Sequence, residues 1–550
     1  MRIGHSLFEF DLLVSPGDGG SYIVSGTDFA PESLPDLLIN NETEGPSIVD
    51  LGYAQYQGVF NGTTNVTSFT GIRYAAAPVG NLRWRAPALP PNVTDIQQAD
   101  SWPPQCYQAG LPGAEPTSAS EDCLFLNVFH PGDSATAENL PVIVWIHGGG
   151  YVLGSALGFH GADLISQSNG GVVVVAIQYR LGAFGFLAGN EVHADGALNA
   201  GLLDQNFALR WVNKHISKFG GDPERVTIWG QSAGAGSVLQ HVIAEDGQTS
   251  PQLFRGAISS SMFLPSQYVY NDTIPQASYN QVVEEVNCTS SENTLQCLRE
   301  TDISALQSAN ENVNAAVLAG VFVSAPVVDG TFIKQRPTQA LKEGKINGDA
   351  LYAVHNTNEG DIFVNQTAPP LSASQYAAKL FPKLTPEDTA TVAELYADLG
   401  SDLTQENLIM GEAIFVCPTY FFADAFQNHT YKAEFVIPPA LHGMDSSYYW
   451  PSLLVLNPGT ILASPITFNN TDFIDAFAQA VISFTISLDP NVKVDPSNIT
   501  PPWDLYSLST KEMVFNKTAE DVPNIRPVET NKDLLARCSF WESVNARTAQ

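Results

Sequence analysis

Charge is scarce in this sequence, and basic charge scarcer. Only 15% of its 550 residues are charged, and Lys plus Arg number 25 against 57 acidic residues, a formal net charge of −32. That balance excludes a phosphate-tracking surface, so nucleic acid is not an expected partner. The acidic residues are scattered rather than gathered in a tail, the pattern of a soluble chain kept apart by self-repulsion. No stretch approaches the roughly 18 consecutive apolar residues that would span a bilayer. The longest run, Val172 to Ile177, has the length of a strand, and no integral membrane association is expected. There is no long Ser/Gly linker, no fixed-period repeat and no heptad pattern. With 44% hydrophobic residues the chain can bury a large core, and a single large domain over residues 47–550 is the expectation.

Cysteine is sparse as well. The six cysteines contain no Cys-x-x-Cys pair and no Cys/His cluster at zinc spacing, which favours disulfides over a metal site. Eleven Asn-x-Ser/Thr sequons are present, at Asn41, Asn61, Asn65, Asn92, Asn271, Asn287, Asn365, Asn428, Asn469, Asn498 and Asn516. Disulfides and sequons together predict a secreted, extracellular protein carrying N-linked glycans. The first residues start basic and apolar, but Glu9 and Asp11 interrupt what would be the apolar region of a secretory signal. Residues 1–46 carry Pro16-Gly17-Asp18-Gly19-Gly20, Pro31 and Pro35 without a sustained period, and read as a loosely held N-terminal extension.

From Ile48 onward, short apolar runs alternate with helical patterns. Val142 to Ile146, Val172 to Ile177, Val226 to Trp229 and Ala433 to Ile437 read as buried strands. Between the second and third, Leu203, Phe207, Ala208, Trp211, Val212 and Ile216 draw an amphipathic helix closed by Gly220-Gly221-Asp222-Pro223. Strand, helix, strand implies an α/β protein with a parallel sheet, whose ligands sit at the carboxyl ends of the strands.

The run Val226 to Trp229 leads into Gly230-Gln231-Ser232-Ala233-Gly234, with Val238 to Ile243 continuing as a helix. This is Gly-x-Ser-x-Gly in the strand-turn-helix setting of a nucleophile elbow. Side chains at Gly230 and Gly234 would collide with the neighbouring strand and helix, while Ser232 and the Ala233 N–H face one point at the helix N-terminus. The run Val142 to Ile146 ends in His147-Gly148-Gly149-Gly150, whose amides can approach a ligand unobstructed. A serine hydroxyl needs a base and the base an orienting acid, in the chain order Ser, Asp/Glu, His. Six of the ten histidines precede Ser232. Of the rest, His241 lies on the helix below the elbow, His355 lies in a strand-like run and His429 sits inside a sequon. His442, in the loop after Ala433 to Ile437, is the favoured base. For the acid, Glu359 and Asp361 both follow the strand-like Ala350 to His355, and position alone leaves them open.

Further motifs are Phe69-Thr70-Gly71-Ile72-Arg73-Tyr74-Ala75-Ala76-Ala77-Pro78, Ser120-Glu121-Asp122-Cys123-Leu124-Phe125-Leu126-Asn127-Val128, Tyr179 to Phe186 and Gly201-Leu202-Leu203-Asp204-Gln205. With the elbow and the glycine run, the chain from about Ile48 to Val544 resembles the type B carboxylesterase/lipase family of α/β-hydrolases, the group of cholinesterases and fungal lipases. The resemblance implies an α/β-hydrolase fold, a large, mostly parallel central sheet flanked by helices. It also implies a triad of Ser232, Glu359 and His442, and an oxyanion hole from Gly149, Gly150 and Ala233. It pairs Cys106 with Cys123, Cys288 with Cys297 and Cys417 with Cys538, and makes Arg83 with Glu121 and Arg180 with Asp204 structural ion pairs.

Two departures bear on substrate. The family's usual residue before the nucleophile is glutamate, and here Gln231 is neutral. The Cys106 to Cys123 loop holds Tyr107 but no tryptophan, against a choline ester, and its 16 intervening residues are fewer than in lipases of the family, which carry a longer helical lid there. The expectation is a secreted carboxylic ester hydrolase acting on small-molecule or lipid-like uncharged esters through an acyl-enzyme, without metal or organic cofactor. The alternatives are a lipase or sterol esterase on long-chain esters, and a non-catalytic cholinesterase-like binding protein.

Overall fold

The computed structural model describes residues 47–109, 119–134, 138–315, 320, 322–453 and 464–550. The N-terminal extension expected over residues 1–46 lies outside the described residues, as does the tip of the Cys106 to Cys123 loop, 110–118. Fourteen strands are described: β1 (Ile48–Asp50), β2 (Gln55–Gln57), β3 (Val59–Asn61), β4 (Val66–Arg73), β5 (Ile96–Gln98), β6 (Phe125–Pro131), β7 (Leu140–Ile146), β8 (Val173–Ile177), β9 (Gly221–Gln231), β10 (Gly256–Ser260), β11 (Ala350–Asn356), β12 (Thr430–Phe435), β13 (Lys511–Lys517) and β14 (Pro523–Glu529). The strands β1, β2 and β5 form a small sheet. The other eleven form one large sheet in the order β14-β13-β12-β11-β10-β9-β7-β8-β6-β4-β3. Its centre, from β8 through β7, β9, β10, β11 and β12 to β13, is parallel, and the remaining pairings at both edges are antiparallel.

Central strands read as unbroken apolar runs because both sheet faces are covered. Along β7, Val142, Val144 and Ile146 enter one core while Ile143 and Trp145 enter the other; β8 divides likewise. This is the two-residue period of a strand applied to two buried faces. The first face is covered by the helices Ala200–His215 and Ala233–Ile243, the second by Thr471–Ser487. Residues Gly45–Gln550 form one compact unit.

The sequence reading is adjusted at two strand ends. The expected Ala433–Ile437 strand is Thr430–Phe435, because the chain turns away before Pro438 and Pro439, which have no N–H to extend a ladder. Gly220 closes the helical segment at φ 81°, as its position suggests, but Gly221, Asp222 and Pro223 already belong to β9. There Leu140 pairs with Gly221 and a register shift separates this from the Val142–Val226 pair.

A helical stretch that the sequence reading did not mark runs from Asp402 to Ala425. Its 24 residues are long and apolar enough to cross a membrane, yet 78% of its most apolar window is buried inside the fold. A π-helical turn at Glu412–Val416 interrupts it, and its single-residue offset re-aims the side chains that follow.

All six cysteines are paired, Cys106–Cys123, Cys288–Cys297 and Cys417–Cys538. Their sequence separations are 17, 9 and 121 residues. Loop-closure entropy makes the last the strongest constraint on the unfolded chain, about 5 kcal/mol against about 2.5 kcal/mol for the shortest. Cys417→Ala/Cys538→Ala is therefore expected to lower the urea midpoint about twice as far as Cys288→Ala/Cys297→Ala. Equal losses would place the stabilising effect in native packing instead.

Candidate active site

The carboxyl ends of β7, β9, β11 and β12 deliver four segments to one place on the sheet edge. After β9, Ser232 sits between strand and helix at φ 58° and ψ −125°, outside the regions open to most L-residues. A Cβ on Gly230 would lie 2.2 Å from the Gly234 carbonyl, and one on Gly234 would lie 2.0 Å from the Ile146 oxygen. Both collisions are with backbone, so glycine is required on each side. Ser232 N–H donates to the Ser260 carbonyl on neighbouring β10 at 3.0 Å, which ties the turn to the sheet.

After β7, the glycine run folds against this turn. Gly149 and Gly150 take φ of 106° and 61°, and a Cβ on Gly149 would come within 2.1 Å of the Leu153 oxygen. His147 Nδ1 bonds the Gly148 carbonyl at 2.9 Å, Tyr179 stacks on the His147 ring, and the Tyr179 hydroxyl donates to the His147 carbonyl at 2.7 Å. Burial pushes His147 down to about 4, so it is a neutral strut near pH 7. Among the described residues, the N–H groups of Gly149, Gly150 and Ala233 are not used in hydrogen bonds within the chain. All three therefore remain free to donate to a bound group.

Glu359 and His442 come from adjacent strands, β11 and β12. Asn358 N–H donates to the Ala440 carbonyl at 2.9 Å, and the Asn358 side chain donates to Pro439 O at 2.8 Å. These bonds bring the two loops into register. Glu359 Oε2 then lies 2.5 Å from His442 Nδ1, while Glu359 Oε1 accepts from the Asn356 N–H at 2.6 Å. All three side-chain residues are buried: Ser232 and His442 are 5% exposed and Glu359 is 1% exposed. Asp361, the competitor left open by position, lies half-buried in the next turn, and among the described residues the carboxylate bonded to His442 is that of Glu359. The other later histidines are spoken for: His241 bonds Gln205 at 3.0 Å, His355 is bonded by the buried Lys432 ammonium at 2.5 Å, and His429 is exposed. Burial, then Lys432, holds His355 well below the usual histidine range.

Three features escaped sequence reasoning. Gln231 Nε2 lies 3.3 Å from His442 Nε2. Asp445, three residues after His442, is fully buried and accepts from Asn356 Nδ2 at 3.0 Å. Its proximity to His442 in sequence was the only available signal. Finally, four phenylalanines from separate segments make a continuous aromatic surface. Phe415, from the π-helical turn, and Phe363 lie 4.6 and 5.1 Å from the His442 ring; Phe263 touches Phe415 and Phe322, and Phe322 touches Phe363. Phe263 also meets Tyr151, next to the glycine run. Nothing local in the sequence announces this set.

The ion pairs Arg83–Glu121 and Arg180–Asp204 are both formed, the second buried and with two contacts of 2.7 Å to the carboxylate. Neither touches Ser232, Glu359 or His442. A hydroxyl, an imidazole and a carboxylate are groups able to deprotonate a nucleophile, and unbonded backbone N–H donors are groups able to hold an oxyanion.

The chain is similar to known proteins over most of its length. A sequence model of the carboxylesterase family matches residues 46–541. Carboxylesterase patB of Aspergillus clavatus is 29% identical over 90% of this chain and 96% of its own. Secreted lipase 1 of Botryotinia fuckeliana is 34% identical over 54% of this chain and 57% of its own. The crystal structure of Aspergillus niger EstA superposes with a TM-score of 0.80 at 29% identity, covering 92% of this chain and 99% of that one.

Burial, and next to it the neighbouring Glu359, raise Asp445 to about 6, against the hydrogen bond from Asn356. A carboxyl with a raised native pKa binds its proton more tightly folded than unfolded, so its contribution to stability is lost as pH rises through about 6. Asp445→Asn is expected to match the parent chain in urea midpoint at pH 4 and to exceed it increasingly up to pH 7. A constant difference across that range would show that Asp445 does not titrate there.

Proposed function

We propose that this chain, which belongs to the carboxylesterase family and is a carboxylic ester hydrolase, cleaves uncharged esters through an acyl-enzyme on Ser232. Ser232 Oγ attacks the acyl carbon while its proton passes to His442 Nε2. Glu359 holds the Nδ1 proton and stabilises the imidazolium that forms. The carbonyl oxygen, now negative, accepts from the N–H groups of Gly149, Gly150 and Ala233. The alcohol leaves with the proton from His442, and water, deprotonated by the same imidazole, releases the acid. The chemistry draws on side chains and backbone donors alone. The observation that carries this reading is the 2.5 Å contact between Glu359 Oε2 and His442 Nδ1, closed across 83 residues of sequence beside the strained Ser232 turn.

The substrate class follows from what surrounds the reacting groups. Gln231 is neutral, and the aromatic surface of Phe263, Phe322, Phe363 and Phe415 offers an uncharged wall from the glycine run to His442. Extracellular residence is supported by three disulfides and by the name of the secreted relative. It is also supported by the exposure of seven of the nine described sequon asparagines, Asn61, Asn65, Asn92, Asn271, Asn287, Asn365 and Asn469. Those seven are the proposed glycan acceptors. A second reading, hydrolysis of long-chain lipid esters, is favoured by the relative named a lipase and by Leu153 and the half-buried Phe322, which extend the apolar wall.

Initial rates on p-nitrophenyl esters from acetyl to palmitoyl test both readings. The expected optimum lies at short or medium chains, and a palmitoyl optimum would move the assignment to a lipase or sterol esterase. Ser232→Ala is expected to remove the activity, and Glu359→Gln to lower kcat about 10,000-fold by releasing the imidazole tautomer. Asp361→Asn is expected to stay within threefold of the parent. If the folded parent hydrolyses no ester faster than Ser232→Ala, the triad is idle and a binding role becomes the reading to pursue.

A further inference from the structure

The tautomer of His442 is fixed by its partner. A carboxylate only accepts, so the proton between His442 and Glu359 belongs to Nδ1 and the lone pair of the neutral ring points out from Nε2. The group facing that lone pair is the side-chain amide of Gln231, at 3.3 Å. Of the two ways to orient an amide there, only the one that turns N–H toward Nε2 makes a hydrogen bond; the other sets two acceptors against each other. Among the described residues no side chain is hydrogen-bonded to Ser232 Oγ. Gln231 itself is 1% exposed and fixed as the last residue of β9, in register with Ser260 of β10. Its Oε1 is buried without a partner among the described residues, and a Cβ on Gly148 would approach that oxygen to 2.8 Å. The first glycine of the run thus leaves the space this side chain occupies.

We propose that Gln231 is a positioning residue of the reaction: its amide N–H holds the Nε2 lone pair of neutral His442 in the free enzyme and is exchanged for the Ser232 hydroxyl as the ester is attacked. In that step the Oγ–H bond breaks, the Oγ–C bond forms, the carbonyl electron pair moves to oxygen and the proton goes to Nε2. The Gln231 bond to Nε2 is lost in the exchange. A donor at this point favours the neutral ring over the imidazolium, whereas a carboxylate at the same place would favour the imidazolium. The proposal rests on the triad assignment above.

Among the described residues, the groups around His442 come from four segments. Glu359 approaches from the loop after β11 and Asp445 from the turn after His442 itself. Gln231 faces it from the elbow, and Phe363 and Phe415 pack on the ring without charge. Half-buried Asp361 sits in the same turn as Phe363. Lys432, on β12, is engaged by His355 and Glu512.

The test is the pH dependence of kcat/KM on p-nitrophenyl butyrate, which reports the free enzyme's base, for the parent, Gln231→Glu and Gln231→Met. The acidic limb of Gln231→Glu is expected to move to higher pH by at least about one unit, as an added carboxylate within reach of an imidazole requires. Gln231→Met, which only deletes the donor, is expected to move the limb the same way by about half a unit. Profiles that superimpose on the parent overturn the proposal, and the Met variant decides alone if the Glu variant fails to fold. The Gln231→Glu shift must also persist in an Asp445→Asn background; its disappearance there would assign the titration to Asp445 and overturn the proposal. Ser232→Ala and His442→Ala separate the two levels of inference. If they retain turnover the triad reading fails, and if they lose it while Gln231→Glu leaves the limb in place, only the role of Gln231 fails.

Discussion

Strand β9 ends and the helix Ala233–Ile243 begins with one residue between them, and the chemistry proposed for this molecule depends on how Ser232 is held there. An L-residue at φ 58° and ψ −125° is strained, and the strain persists only because the surroundings over-determine it. The Ser260 carbonyl fixes its N–H, and two glycines let strand, helix and the end of β7 close to within backbone contact. In the proposed reaction the amides of Gly149 and Gly150 act together with that of Ala233. A β-carbon at Gly230 or Gly234 would collide with backbone and force the turn open.

The second constraint is electrostatic. Burial would ordinarily discourage a charged carboxylate, yet Glu359 has two donors, the Asn356 N–H and His442 Nδ1. Satisfied in this way, it can hold the imidazole in one tautomer without solvent. Asn356 serves both acids, its backbone bonding Glu359 and its side chain Asp445, so the two carboxyl groups are spaced by one residue rather than left to repel freely. Gln231 adds a neutral side chain facing His442 Nε2, through which the proposed base responds to the residue before Ser232.

How far the sequence reached varied with how local each signal was. The two-face strands, the elbow, the glycine run and the histidine after β12 were legible because each rests on a few consecutive residues and a steric rule. Glu359 could not be told from Asp361 by position, since both follow β11; the choice comes from the Asn358 bonds that lock one loop against the other. The strand before His442 was ended two residues too late because Val436 and Ile437 continue its apolar run up to the prolines. The aromatic wall was invisible, as its four members lie in four segments and meet only after the π-helical turn carries Phe415 to the ring of His442.

By itself the sequence determined the α/β-hydrolase architecture and the class of chemistry, ester hydrolysis, and it placed the proposed nucleophile in its turn. Glycine where backbones must touch, and apolar residues where both faces are covered, are properties of composition in a short window. Only the tertiary structure decided which carboxylate meets the histidine, what faces its other nitrogen and which aromatic rings pack on it. Those are contacts between chain segments tens to hundreds of residues apart, and their register is set by packing between strands and loops, which no local pattern encodes.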